Sequence, residues 1–235
     1  MAAPPFDLFG FAHIVAVVIA VGVPAVLAAF VKRADSKRVT RAVSVTLALV
    51  ILVNQIVYWC YRFVTEGAVL FVREHLPLHL CGITILLSVA TLLFRHRRTY
   101  ELTYFWGLAG ATNAIVTPEL TEGFPSYLFF QYFISHAGIV GAALFATWGL
   151  GMRPSFKSLV RAFVVLNGIA VPVAVVNLAL DGNYMYLCAP PVTASPFLFL
   201  PWPWYLLIIE MLGLIFFLLL YLPVHLGARR RSRRP

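Results

Sequence analysis

Charge is scarce in this chain. Asp, Glu, Lys and Arg make up 11% of its 235 residues, against about 25% in an ordinary soluble domain. With 61% hydrophobic residues and a mean hydropathy of +0.89, there is too little polar surface to cover a water-soluble core, and the composition belongs to the membrane class. Acid is scarcest of all: nine Asp and Glu face 18 Lys and Arg, a net charge of +9. The three cysteines make no zinc-type cluster. No Asn-x-Ser/Thr acceptor, no Gly-x-x-x-x-Gly-Lys phosphate loop and no Gly-x-Ser-x-Gly nucleophile elbow occurs. The last long apolar run has no lysine, so a retinal Schiff base is unsupported. Residues 1–11 have no basic flank, and no cleavable signal is expected. There is no internal repeat, and no low-complexity segment beyond an arginine-rich end.

What the chain does have is apolar runs. They fall at about 9–31, 42–63, 76–94, 102–117, 127–150, 162–180 and 204–226. A spanning helix needs about 20 apolar residues, so seven spans consume most of the chain. Only helices and closed barrels satisfy backbone polar groups in lipid, and continuous apolar runs exclude the alternating strands of a barrel. The expected fold is therefore all-α: one seven-helix membrane domain over residues 1–235, ending in a basic tail at 227–235.

All but two of the 18 basic residues lie in alternate gaps. Lys32, Arg33, Lys37, Arg38 and Arg41 follow the first span; Arg95, Arg97 and Arg98 the third; Arg153, Lys157 and Arg161 the fifth; and Arg229, Arg230, Arg231, Arg233 and Arg234 the seventh. Arg62 and Arg73 are the exceptions. The positive-inside rule then puts the N-terminus outside and the C-terminus in the cytoplasm of a multi-pass protein of the cell membrane. The expected partners of these loops and tail are anionic lipid head groups, rather than nucleic acid. The outer gaps carry Glu66, Glu74, Glu119, Glu122 and Asp181. The longest, 181–203, holds Asn183, Tyr184 and Tyr186, then Pro190-Pro191 and Trp202-Pro203-Trp204-Tyr205. Such a loop reads either as an outer lid or plug, or as a passive aromatic anchor at the interface.

With direction assigned, polar residues acquire depth. His13, Asn54, Gln55, His79, Cys81, Asn113, Thr117, Asn177 and Glu210 all fall toward the outer ends of their spans, His136 falls near mid-membrane, and the inner halves are nearly all apolar. An ionisable residue at a helix centre costs at least about 2.5–3.5 kcal/mol on insertion scales, so such groups are normally paired or face a wet cavity. Singly, each has a plain explanation. Asn and Gln tie helices together, His13 reaches the interface, and His136 with Glu210 makes a structural pair. Taken together they predict a polar cavity opening outward.

Pro77-Leu78-His79-Leu80-Cys81-Gly82 is the sharpest local motif. Pro77 suits a first helical turn. A buried cysteine is usually a small hydrophobe, whereas a nucleophilic one needs a base nearby. His79 lies two residues away and points elsewhere on a regular helix, while His136 approaches from another helix. On ideal helices Cys81 lies only about 6 Å below Pro77, shallower than His136, so tilt or a deeper start must close the gap. Two other arrangements fit the residues. His75 and His79 at i, i+4 could join Glu210 as zinc ligands, although no extended metal signature supports this. Cys60 and Cys188, both outer, could form a disulfide.

The Pro77–Cys81 motif, together with residues 113–118, 131–136, 183–187 and Trp202-Pro203-Trp204-Tyr205, resembles the YwaF-like family of bacterial integral membrane proteins over nearly the whole chain. That family is related to an animal transmembrane acyltransferase that moves a fatty acyl chain between ether phospholipids using a cysteine. The resemblance implies a bacterial plasma-membrane protein with Cys81 as nucleophile and His136 as base. Membrane phospholipids would serve as acyl donor and lysolipid acceptor, and no cofactor or metal would be needed. From their outer-side position alone, and not from the resemblance, His79, Asn113, Glu210, Asn54, Gln55 and Asn177 are expected to line the supporting cavity, with Asn113 or His79 facing the oxyanion. The competing class is a small-molecule or proton-coupled transporter or receptor, which would use His136 and Glu210 but would also call for polar residues in the inner halves. A third reading has every polar residue merely binding helices together.

Overall fold

The computed structural model describes residues 4–190 and 200–232, with side chains to residue 227. Pro191, Arg233 and Arg234 lie outside the described residues. The helices are α1 (Phe11–Ala34), α2 (Lys37–Glu74), α3 (Leu80–Phe94), α4 (Arg97–Leu102), α5 (Thr112–Val116), α6 (Tyr127–Trp148), α7 (Phe156–Leu180) and α8 (Tyr205–Ser232). A π-helical stretch, Thr103–Ala111, joins α4 to α5, and a 3₁₀ turn occupies Tyr184–Tyr186. Among the described residues the only extended pairing is an isolated bridge between Pro5 and Glu122.

Five helices are long and apolar enough to cross a membrane: α1, α2, α6, α7 and the Tyr205–Gly227 part of α8. The other two expected spans take a different form. The third helix has 15 residues, about 22 Å at 1.5 Å per residue, against a hydrocarbon core of about 30 Å. It starts at Leu80 rather than 76, because Pro77 pushes the residue before it out of helical conformation and so falls in the preceding turn. The fourth is helical from Arg97 to Val116 but broken by nine residues of wide π turns.

Local chemistry moves other ends. Ser155 caps α7 in a reciprocal pair with Ser158, so the helix begins at Phe156, six residues before the apolar run at 162. Ser126 caps α6 by accepting from the Phe129 N–H. The second helix extends past 63 to Glu74, with one break at Gly67 (φ 80°, ψ 168°), a conformation that glycine adopts without steric cost.

The chain divides into two units. The first comprises Met1–Tyr61 and Cys81–Met152. Its central element is α6, whose apolar window is 56% buried where no other candidate span exceeds 22%. It packs on α1, the π-helical stretch and α5. Small residues allow this: a Cβ on Gly138 would sit 2.7 Å from Ile51 Cγ1 of α2, and one on Gly141 would sit 3.3 Å from Pro24 Cγ of α1. The N-terminal segment folds back, with the Phe6 N–H donating to Thr121 O (3.0 Å) and the Gly123 N–H to Pro4 O (2.7 Å).

The second unit comprises Arg62–Leu80 and Arg153–Pro235. It is organised on Tyr184, which is fully buried. The Tyr184 N–H donates to Asn177 Oδ1 (2.7 Å) and its carbonyl accepts from Asn177 Nδ2 (2.9 Å). Its hydroxyl donates to Val72 O (2.8 Å) and accepts from the Leu76 N–H (3.0 Å). Arg73 pairs with Asp181 at 2.6 Å. The described part of the 181–203 loop is thus an ordered turn. Asn183 Oδ1 accepts from the Cys188 and Ala189 N–H groups, the Trp202 indole donates to Leu187 O, and the Tyr205 hydroxyl donates to Tyr186 O.

Candidate functional site

Cys81 lies in the first turn of α3, half-buried against the core of the first unit. His136 and Tyr132 lie one turn apart on α6, and their rings are 4.1 Å apart between centroids. The His136 Nδ1 is 2.8 Å from the Tyr132 carbonyl oxygen. A carbonyl can only accept, so Nδ1 carries the proton and Nε2 keeps its lone pair. The imidazole is thereby held in the tautomer a general base needs. The Tyr132 hydroxyl donates to Ala114 O at 3.0 Å, and Tyr132, like Cys81, packs against the core of the first unit. Tyr132 and Cys81 thus border the same core, and the imidazole lies one turn along α6 from the tyrosine.

A second set braces this face of α6. Asn54 Nδ2 donates to Gln131 O (3.2 Å) and to Ser135 Oγ (2.9 Å), and Gln131 Nε2 donates to the same hydroxyl (3.0 Å). Gln55 is buried beside Asn54 on α2. These bonds fix α2 against α6, which is the helix-tying role expected of Asn54.

Several expected placements differ. His13, in the first turn of α1, is buried rather than open at its helix end. Its Nδ1 accepts from the Phe9 N–H (2.9 Å), so Nε2 carries the proton and donates to Ile115 O (2.8 Å). It pins α1 to α5 beneath Phe6 and Phe9. Asn113 is exposed, and its amide donates to Ala109 O of the preceding turn.

His75 and His79 share no helix face, because α2 ends at Glu74 and α3 begins at Leu80. The His75 Nε2 pairs with Glu66 at 2.6 Å. The His79 Nδ1 accepts from the Met185 N–H at 3.3 Å, and its ring meets Tyr184 and Tyr186. Glu210 pairs with neither histidine: its Oε2 accepts from Asn167 Nδ2 (3.1 Å), joining α8 to α7. Among the described residues no group of three or more His, Cys, Asp or Glu gathers to hold a metal ion, so His75, His79 and Glu210 form no zinc site. All three cysteines are free thiols, with Cys60 and Cys188 exposed. The supporting residues thus form separate sets within each unit: Asn54 and Gln55 in the first, His79 with Asn177 around Tyr184 in the second, and Glu210 apart with Asn167.

Sequence reading also missed a buried polar layer beside the basic gaps. Thr91 and Thr103 bond at 3.2 Å, and Tyr100 bonds to Thr147 at 2.9 Å and donates to Met152 O at 3.1 Å. The buried Glu101 accepts from Arg97. Hydroxyls weigh little on a hydropathy scale, so the span halves beside the basic gaps read as more apolar than they are. Tyr132 was missed for the same reason, although its i, i+4 spacing from His136 was visible.

Helices of this length and apolarity define a helical integral membrane protein, embedded in the bilayer as a multi-pass chain. Residues 8–221 match the TMEM164 family, a transmembrane protein family, and the chain belongs to it. No curated protein and no solved structure matches the chain.

Proposed function

We propose that this protein is a membrane-embedded acyltransferase that moves a fatty acyl chain between phospholipids through a thioester on Cys81. The observation that carries the reading is a free Cys81 thiol half-buried against the core that α6 centres, with His136 of α6 held in the tautomer that leaves Nε2 as the acceptor. Membership of the TMEM164 family, and the resemblance to a cysteine-dependent animal ether-phospholipid acyltransferase, support the choice of reaction.

In the proposed first half, the Cys81 thiol gives its proton to the His136 Nε2 and the sulfur attacks the acyl carbonyl of a donor glycerophospholipid. A C–S bond forms, the ester C–O bond breaks, and the proton passes from His136 to the departing oxygen, releasing a lysolipid. In the second half an acceptor lysolipid hydroxyl gives its proton to His136 and attacks the thioester. A C–O bond forms, the C–S bond breaks, and the sulfur takes the proton back. The chemistry calls for no oxidant, metal or cofactor. It requires the His136 Nε2 within about 3–4 Å of the sulfur, or one water away, in the complex with lipid. Vesicles containing the purified protein and a phospholipid labelled in its acyl chain should yield labelled acceptor when lysolipid is added. A yield no greater than that of protein-free vesicles would contradict the proposal.

The same reading puts all seven helical runs through the bilayer as one domain, with α3 and the broken fourth run completing the count and the kinship extending to YwaF-like bacterial proteins. The N-terminus lies outside and the basic end in the cytoplasm, as the arginine distribution favours. A fluorescent protein fused after residue 235 should therefore mature. Alkaline phosphatase activity from that same junction would contradict this orientation.

A further inference from the structure

A groove of about 700 Å³ runs along α8 in the second unit and meets the first residue of α7. It is lined by Phe156, the first residue of α7, and by Ile215, Leu218, Leu219, Leu222 and His225 of α8. At one end Tyr221 stands between two rings, with centroids 5.8 Å from Phe156 and 5.8 Å from His225. From Ile215 to His225 the groove covers about 15 Å of helix, half of the roughly 30 Å hydrocarbon core and so the depth of one leaflet. The α8 side chains along it remain about half exposed.

The charge around the Phe156–His225 end has one sign. Lys157 adjoins Phe156 and is exposed, with Arg153 before it and Arg161 one turn later, and α8 continues into Arg229, Arg230 and Arg231. No Asp or Glu occurs from 153 to 180 or from 211 to 235. An apolar channel one leaflet deep, headed by cations with no acid on either helix nearby, matches an amphiphile with a long acyl chain and a negative head. A soluble anion would leave the channel unfilled, and a zwitterionic lipid would bring an ammonium to the basic end.

We propose that the groove seats an anionic glycerophospholipid of the surrounding bilayer, one acyl chain lying along Ile215–Leu222 and the phosphate resting against Lys157 near His225. The seat uses no residue of the Cys81 set and stands whether or not the protein transfers acyl groups.

The test uses the full chain in nanodiscs containing a phosphatidylglycerol probe with a photoactivatable acyl chain, or the phosphatidylcholine probe with the same chain. Cross-links are mapped by mass spectrometry of the α8 peptides. The anionic probe should label Leu218, Leu219 and Leu222 about fivefold or more above the zwitterionic one, and Lys157→Gln should lower that ratio about fivefold, the effect of one basic side chain near a charged membrane surface. Leu219→Trp, which fills the groove and leaves the charge intact, should lose labelling by both probes. Equal labelling by the two probes in the wild type, a ratio unchanged in Lys157→Gln, or labelling undiminished in Leu219→Trp would each overturn the proposal.

Discussion

Cys81→Ala should abolish acyl transfer, lowering the rate by at least about 10³-fold, the scale of loss when a nucleophile is removed. The chain supplies its own controls, because Cys60 and Cys188 are also free thiols. Both are exposed, whereas Cys81 is half-buried against the core of the first unit. Cys60→Ala and Cys188→Ala should therefore retain wild-type transfer, singly and together. Transfer that survives Cys81→Ala but falls with either exposed cysteine would move the chemistry elsewhere. Transfer untouched by all three substitutions would remove the thioester altogether. Measurement in vesicles of fixed lipid composition, with helicity and detergent-extracted melting recorded for each variant, separates loss of the nucleophile from loss of the fold.

His136→Ala should cost about 10²–10⁴-fold, the usual worth of a positioned general base. The prediction follows from one hydrogen bond. The Tyr132 carbonyl takes the Nδ1 proton at 2.8 Å, so the free lone pair sits on Nε2. A base that acts only as the proton moves stabilises the transition state and not the bound lipid, so kcat should fall while KM stays nearly constant. Tyr132→Phe leaves this carbonyl and the stacked ring in place and removes only the hydroxyl that bonds Ala114 O. It should therefore cost much less, about the 0.5–1.5 kcal/mol of one net hydrogen bond. A rise in KM alone in His136→Ala, or a Tyr132→Phe loss as deep as that of His136→Ala, would reassign the roles of the two residues.

Hydropathy and charge located every long helical run, because burial in lipid demands apolar side chains wherever the backbone crosses. Where the runs end was less legible, since ends are set by local bonds that hydropathy ignores. The Ser155–Ser158 cap starts α7 six residues early, α3 starts only after the turn that holds Pro77, and α2 continues past 63 to Glu74 through a break at Gly67. The π-helical stretch at Thr103–Ala111 left no mark that sequence reading could use, because its residues pack as any apolar helix would.

The candidate site was legible as a list of residues and not as a set of pairings. Asn54 was read as a helix tie, and it is one. His13 lies in the first turn of α1, near the helix end as its position suggests, but it is buried because the segment before it folds back over it through Phe6. The sequence offers His136, or His75 with His79, as partners for Glu210, but the carboxylate bonds Asn167 of the neighbouring helix. Tyr132 and the Thr91–Thr103 and Tyr100–Thr147 bonds went unseen because hydroxyls satisfied by nearby oxygens look almost apolar in a composition. Tertiary partners decide what a membrane polar residue does, and they lie as far as 112 positions away along the chain.

The most direct measurement is the mass of the peptide that carries Cys81 after the purified protein meets a phospholipid with an isotopically labelled acyl chain and no acceptor. The account predicts a labelled acyl adduct on Cys81 that hydroxylamine removes and that added lysolipid discharges. A Cys81 peptide that stays unmodified while labelled acyl chains still move between lipids would contradict it.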